Sequence, residues 1–220
     1  MVGSQDCRVE CRGAFLGVLL AALVGALACI SMTSQRADAA PEPAPIPTRW
    51  ELTLEPGPLR VMTVETPEGS KPFYYFTYKV TNYSGEDRLF TPTFEMFTDD
   101  GTLVPSGRGV PHDVTEYILR RLRNPLLLDE IQMQDNLLQG RENAREGLVV
   151  WPVRNLSVDE IKIFANGFSG ETKTVFRADT GEAITLRKTM MLVHSVAGEV
   201  NTGTSRPIPR LENASRWIMR

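Results

Sequence analysis

Thiols are scarce in this chain of 220 residues: its three cysteines, Cys7, Cys11 and Cys29, all fall within the first thirty positions. Beyond Ile30 the chain can build neither a disulfide nor a thiolate metal centre from its own residues. Imidazole is almost as rare, with His112 and His194 as the two histidines. A zinc site needs three or four such ligands, so no metal centre is expected and no cofactor is implied. Charge of one sign is also missing: 24 basic and 27 acidic residues leave a formal net charge of −3. That balance lacks the basic footprint of a nucleic-acid binder. Long apolar runs are absent too, with a single exception at the N-terminus.

The exception is Ala14 to Ile30, preceded by Arg8 and Arg12 and followed by Ala37-Asp38-Ala39. A basic flank, an apolar stretch and an A-x-A triplet read as an export signal, residues 1–39, with cleavage after Ala39 favoured. Two other readings stay open. Ala26-Leu27-Ala28-Cys29 approaches a lipobox, in which Cys29 would be acylated, although Ala26 stands where a larger aliphatic residue is usual. Left uncut, residues 14–30 would reach about 25 Å as a helix, the lower limit for a membrane anchor. In every case the expected location is outside the cytoplasm: periplasmic, envelope-bound or extracellular. The remaining chain of roughly 180 residues is long enough to bury a core without covalent staples.

Alternate prolines from Pro41 to Pro47 favour polyproline II, so residues 40–48 are expected as a semi-rigid linker. Strand signals then dominate residues 49–196. Trp50, Leu52 and Leu54 alternate with polar neighbours, Pro56-Gly57-Pro58 predicts a turn, and Leu59 to Glu65 predicts a second strand. In Phe73 to Asn82, Tyr74, Phe76, Tyr78 and Val80 share one face while Tyr75, Thr77, Lys79 and Thr81 share the other. Asn82-Tyr83-Ser84-Gly85 predicts a tight turn. Leu89 to Thr98 reads as the next strand, with Pro92 placing it at an edge or a bulge. Asp99-Asp100-Gly101 predicts a hairpin turn.

A helical insertion is expected at about 112–131. Asp113-Val114-Thr115-Glu116 fits a capping box, Val114, Tyr117, Ile118 and Leu122 fall at helical spacing, and Pro125 ends the helix. Leu126 to Ile131 fits a second short helix or a loop. Strands resume at Gly147, and Thr172 to Ala178 with Ile184 to His194 predict a hairpin across Asp179-Thr180-Gly181-Glu182. Residues 197–220 read as a C-terminal extension whose end, Trp217 to Arg220, is apolar enough to dock as a short strand. Many short strands separated by turns indicate a mainly β protein, an antiparallel sandwich behind an N-terminal signal helix.

Trp50-x-Leu52, the aromatic strand ending Val80-Thr81-Asn82-x-Ser84-Gly85-x-Asp87, and Glu146-Gly147-Leu148-Val149-Val150-Trp151 resemble a bacterial architecture. It is the Ig-like β-sandwich of exported or lipid-anchored proteins of unknown function, with an N-x-[ST]-G turn. The resemblance covers most of residues 50–195. It implies a fold and an envelope location, and no catalytic residues.

Each candidate chemistry has a plainer competitor. Asp179-Thr180-Gly181 matches the aspartic-protease tripeptide, which needs a second carboxylate sharing a proton. A hairpin turn explains it fully. Gly167-Phe168-Ser169-Gly170-Glu171 falls short of a nucleophile elbow, which requires a last glycine and a following helix. His194 alternates with Met190 and Leu192 and reads as a satisfied strand-end histidine. Asp99 and Asp100 lack the ligand spacing of a calcium loop. Asn82, Asn155 and Asn213 each begin an N-x-S triplet of the glycosylation type.

The insertion carries Arg108, Arg120, Arg121 and Arg123, with Arg141 and Arg145 beyond it. If they converge, guanidinium groups would bind an anionic sugar, lipid head group or acidic partner. The plainer reading is a solvated helix face neutralised by Glu116, Asp129 and Glu130. The expected function is therefore a non-catalytic envelope interaction or structural module whose partner is an envelope protein or glycan. The alternative is a carbohydrate or anionic-polymer binding module using the arginine-bearing insert or aromatics such as Tyr75 and Phe97. An aspartic-type hydrolase is the remote third.

Overall fold

The computed structural model describes residues 41–198, 200, 202 and 206–220. Residues 1–40, with Cys29 and the proposed cleavage site, lie outside them. No helix among the described residues is long and apolar enough to cross a membrane. The protein is mainly β, with several sheets arranged in a way consistent with a β-sandwich. One sheet has the order β1-β2-β8-β6, formed by Thr53–Thr66, Gly69–Asn82, Gly140–Pro152 and Leu127–Leu128. The other has the order β10-β11-β9-β4-β5, formed by Thr172–Phe176, Ala183–Ser195, Glu160–Asn166, Thr93–Thr98 and Leu103–Pro105. β12, Arg216–Met219, adds to β11, and β3, Arg88–Phe90, pairs with β7, Asp135–Leu137. The single helix among the described residues is α1, His112–Leu122.

The alternation in β2 sets the layering. Tyr74, Phe76, Tyr78 and Val80 enter one buried cluster with Val149 and Trp151 of β8, Phe94 and Met96 of β4, and Ile161 and Ile163 of β9. Their neighbours Phe73 and Tyr75 point the opposite way, into a second cluster with Val114 and Ile118 of α1. Both faces of β2 are thus buried, which suits its aromatic and β-branched composition. At the centre of the first cluster the Tyr78 and Phe94 rings lie 4.8 Å apart, and the Phe90 and Phe168 rings meet edge-on at 5.1 Å. Such pairs each add about 0.5–1.5 kcal/mol beyond area burial.

Several elements differ from the sequence expectation, each for a local reason. Residues 53–66 form one strand rather than two, because Gly57 and Pro58 are absorbed as a bulge opposite Thr77. A Cβ on Gly57 would sit 2.5 Å from the Thr77 hydroxyl, so only glycine allows this approach. The Asn82 turn does not close a hairpin. Asn82 is fully buried, donates to the carbonyls of Glu86 and Leu137, and accepts from Ser84, steering the chain from β2 to β3. Pro92 divides the expected strand into β3 and β4, and β4 is interior, flanked by β5 and β9. The capping box is not used: Pro111 is the N-cap, no side chain caps the helix, and Asp113 lies in the first turn. Leu127 and Leu128 run as a short parallel strand beside β8, where a helix or loop was expected. β8 itself begins at Gly140, ahead of the expected Gly147.

The expected hairpins at Asp99–Gly101 and Asp179–Glu182 are present, with Gly101 and Gly181 at positive φ. The C-terminal stretch is fastened to both sheets. The Ile208 N–H donates to the Leu59 carbonyl of β1, and the Leu211 N–H donates to Val193 of β11. Trp217 to Met219 then dock as β12.

Candidate functional site

α1 lies on the outer face of the first sheet because Val114 and Ile118, one turn apart, fit against Phe73 and Tyr75. That seating rotates Tyr117 and Arg120 toward the end of the β1–β2 hairpin. Helix and hairpin enclose a cleft of about 850 Å³. Val64, Val114 and Val153 supply apolar wall, and Tyr117, 42% exposed, stands beside it. Pro67, Pro72, Pro111 and Pro152 contribute backbone with no N–H to donate, which leaves the walls rigid and poor in donors.

The charges around this cleft divide into matched and spare groups. Lys71 pairs with Glu68, and the hydrogen bond and charge of Lys71 hold that carboxyl below its ordinary range. Arg120 pairs with Glu116 at 3.1 Å, and the same carboxylate receives His112 Nε2 at 3.2 Å. Glu65 and Asp113 also line the cleft, and neither has a salt-bridge partner among the described residues; strand alternation puts the Glu65 side chain on the face of the hairpin opposite Val64 and α1. A hollow of about 420 Å³ lies near the other end of α1. There Lys79 pairs with Glu55 at 3.5 Å, and Asn124 donates to Glu146 at 2.5 Å.

Of the arginines singled out from sequence, only Arg120 lines the cleft. Arg108 is exposed in the turn before α1, and Arg121 is exposed on the helix outside the lining set. Arg145 pairs with Asp135 at 3.0 Å, across β8 and β7. Two expected neutralising carboxylates have other partners. Asp129 accepts the N–H groups of Ile131 and Gln132, whereas Glu130 accepts the Ser106 hydroxyl at 2.7 Å. Burial raises the Glu130 pKa against that hydrogen bond. Tyr75, expected as an exposed aromatic, is 1% exposed beneath α1; Phe97 is half-buried.

The remaining motifs resolve into local structure. Asp179 occupies an exposed hairpin tip and pairs with Arg177 at 3.2 Å. Phe168 is sealed in the core, and the Ser169 hydroxyl accepts the Glu171 N–H. Asp100 closes its own turn by accepting from Thr98 Oγ1 at 2.6 Å and Thr102 N–H at 2.9 Å. These bonds, the Thr98 hydroxyl foremost, lower its pKa. The side chains of Asn82 and Asn155 likewise cap their own turns, accepting from Ser84 and Ser157. No group of three or more metal-ligating side chains occurs among the described residues.

His194 is buried as expected; apart from a contact to the Ile161 backbone too distorted to make a full hydrogen bond, its ring nitrogens have no partner among the described residues, nor do Tyr74 OH and Trp151 Nε1. Burial, reinforced by the Arg210 charge, holds the His194 pKa down at about 4. Burial likewise raises Tyr74 to about 12. One buried charge escaped the sequence reading. Lys188, 3% exposed, sits 2.8 Å from Glu51 and 3.3 Å from Glu171, with the Trp217 ring 5.2 Å away. Burial pulls its pKa down, but the two carboxylates outweigh that and the net shift is upward. A lysine in an alternating strand gives no local sign of such a cluster, since its carboxylates are supplied from distant positions. The chain matches no protein-family model, no curated protein and no solved structure.

Proposed function

We propose that this chain is a non-catalytic, exported Ig-like β-sandwich of the bacterial cell envelope, working there as an interaction module through the cleft beside α1. The strand order supports the Ig-like reading. β1-β2-β8-β6 and β5-β4-β9-β11 follow the strand order of a seven- to eight-stranded Greek-key sandwich, although β6 joins β8 in parallel and β10 and β12 extend the second sheet. The export reading rests on the basic flank, the apolar run and the A-x-A triplet of residues 1–39.

One observation carries the choice of site: the insertion is a helix seated on the sheet, so Tyr117, the valines and the prolines form a cleft that combines apolar wall with paired charges. Clefts that set fixed polar groups in apolar wall are where binding concentrates. A non-catalytic role is favoured because His194 is enclosed in the core and Asp179 is engaged in its own hairpin. A polyanion is a poorer fit, since the Arg120 charge is matched by Glu116, the Lys71 charge is matched by Glu68, and Asp113 lines the same space.

The test is capture from native envelope by the purified protein, with Tyr117→Ala beside it. Specific partners lost in the variant support the reading; identical capture by both overturns it. Intact mass of the natively exported protein distinguishes cleavage after Ala39 from an acylated Cys29 or an uncut anchor.

A further inference from the structure

We propose that residues 41–44 form a strap, docked on the domain by the buried carboxylate of Glu171 and released from it without unfolding of the sheets. Between Pro41 and Pro47 every second residue is proline, so only Glu42, Ala44 and Ile46 carry a backbone N–H there. Of the three, Ala44 donates to Glu171 Oε1 at 2.8 Å, and the other two have no partner among the described residues. Burial follows the bond: Pro41, Pro43 and Ala44 are half-buried, whereas residues 45–49 are exposed. The chain is fastened again just beyond, where the Gly170 N–H donates to the Trp50 carbonyl and the Leu52 N–H to that of Phe168. Residues 45–49 thus form an open loop between two fixed points.

The acceptor is held in place for this bond. Glu171 is 8% exposed, and its second oxygen, Oε2, lies 3.3 Å from Lys188 Nζ. Lys188 is itself enclosed and also reaches Glu51 at 2.8 Å. The Glu171 backbone is fixed as well: its carbonyl accepts the Lys188 N–H at 3.0 Å, and its N–H donates to the Ser169 hydroxyl at 3.2 Å. Oε1 is left for Ala44. Two carboxylates against one lysine leave a net negative charge in the cluster, which favours an N–H donor at that oxygen. A proline-alternating segment offers the N–H from a stiff, extended backbone, so docking costs little chain entropy. One charge-assisted hydrogen bond and shallow burial are far less than the core supplies. The strap therefore opens at a much lower free energy than the fold.

The experiment is hydrogen exchange of the purified protein, read amide by amide by NMR, in water and in low urea. Ala44 should exchange at least about tenfold more slowly than Glu42 and Ile46, each corrected for its unfolded-chain rate. Its rate should stay constant in urea below the unfolding transition, whereas core amides of β9 and β11 should lose protection as urea rises. In Glu171→Ala, Ala44 should rise to the rates of Glu42 and Ile46; Glu171→Gln, which keeps an acceptor oxygen, should fall between. Equal rates for the three amides in the native protein, or unchanged Ala44 protection in Glu171→Ala, would overturn the docking. Ala44 protection that declines with urea in parallel with the core would overturn independent release. Should Glu171→Ala fail to fold, the native rates and their urea dependence decide the matter alone.

Discussion

On one face of β2, Tyr74, Phe76, Tyr78 and Val80 meet side chains from β4, β8 and β9. On the other, Phe73 and Tyr75 are covered chiefly by one eleven-residue helix through Val114 and Ile118. The inner face is closed by residues of both sheets, so no single element can withdraw from it. The outer face depends on a helix that lacks a side-chain cap and ends with Arg123 at φ 53°. A helix of this length is marginal by itself and owes its stability to the face it buries. The comparison separates a layer that holds the fold from a layer that shapes the candidate site.

The largest expected effect comes from the inner layer. Trp151 is fully buried between the sheets, so Trp151→Ala should cost about 4 kcal/mol and lower the urea midpoint of the whole protein. A smaller loss confined to one sheet would break the view that the two sheets share a single core.

Acid probes the same layer next. His194 has a folded pKa of about 4 against an ordinary 6.5. Between those values the unfolded chain binds a proton that the folded chain refuses. The contribution is therefore fully present above pH 6.5 and is lost as pH falls toward about 4. The loss should amount to about 3 kcal/mol. Denaturant titrations at several pH values would follow it, and His194→Leu should flatten the slope in that window. An unchanged slope in the variant would assign the acid sensitivity elsewhere.

The outer layer should respond less and more locally. Ile118→Ala should cost about 2 kcal/mol, the low end for such a truncation, because a surface helix can settle into the gap. Hydrogen exchange would show faster exchange across α1 while β2 and β8 keep their protection. Uniform acceleration would merge the two layers into one cooperative unit. Smallest of all, Arg120→Ala breaks an exposed pair with Glu116 and should change stability by no more than about 0.5 kcal/mol in thermal melts.

Much of the strand content could be read from local pattern. The alternation in Phe73 to Asn82, the hairpin at Asp179–Glu182 and the Asp99–Gly101 turn all follow from neighbouring residues, and the structure contains each of them. The misplacements share one cause. Gly57-Pro58 reads as a turn in isolation, but opposite Thr77 it becomes a bulge. Leu127 and Leu128 have no strand signature, yet the open side of β8 recruits them. The candidate site was half legible: the insertion and Arg120 stand out in the sequence, whereas nothing in it groups Tyr117 with Val64 and Lys71. Those two are remote in sequence from α1, and only packing brings them to the same cleft.

Composition and periodicity alone determined that thiol chemistry is confined to the first thirty residues, that the domain is built mainly of strands, and that a helix interrupts them. These properties reside in residue type and short-range spacing. Tertiary structure decided that this helix lies on the outer face of β2, that Tyr75 is covered, that Lys188 is enclosed between Glu51 and Glu171, and that a cleft opens between the helix and the β1–β2 hairpin. Each depends on contacts between residues far apart in the chain, and no window of neighbouring residues contains that information.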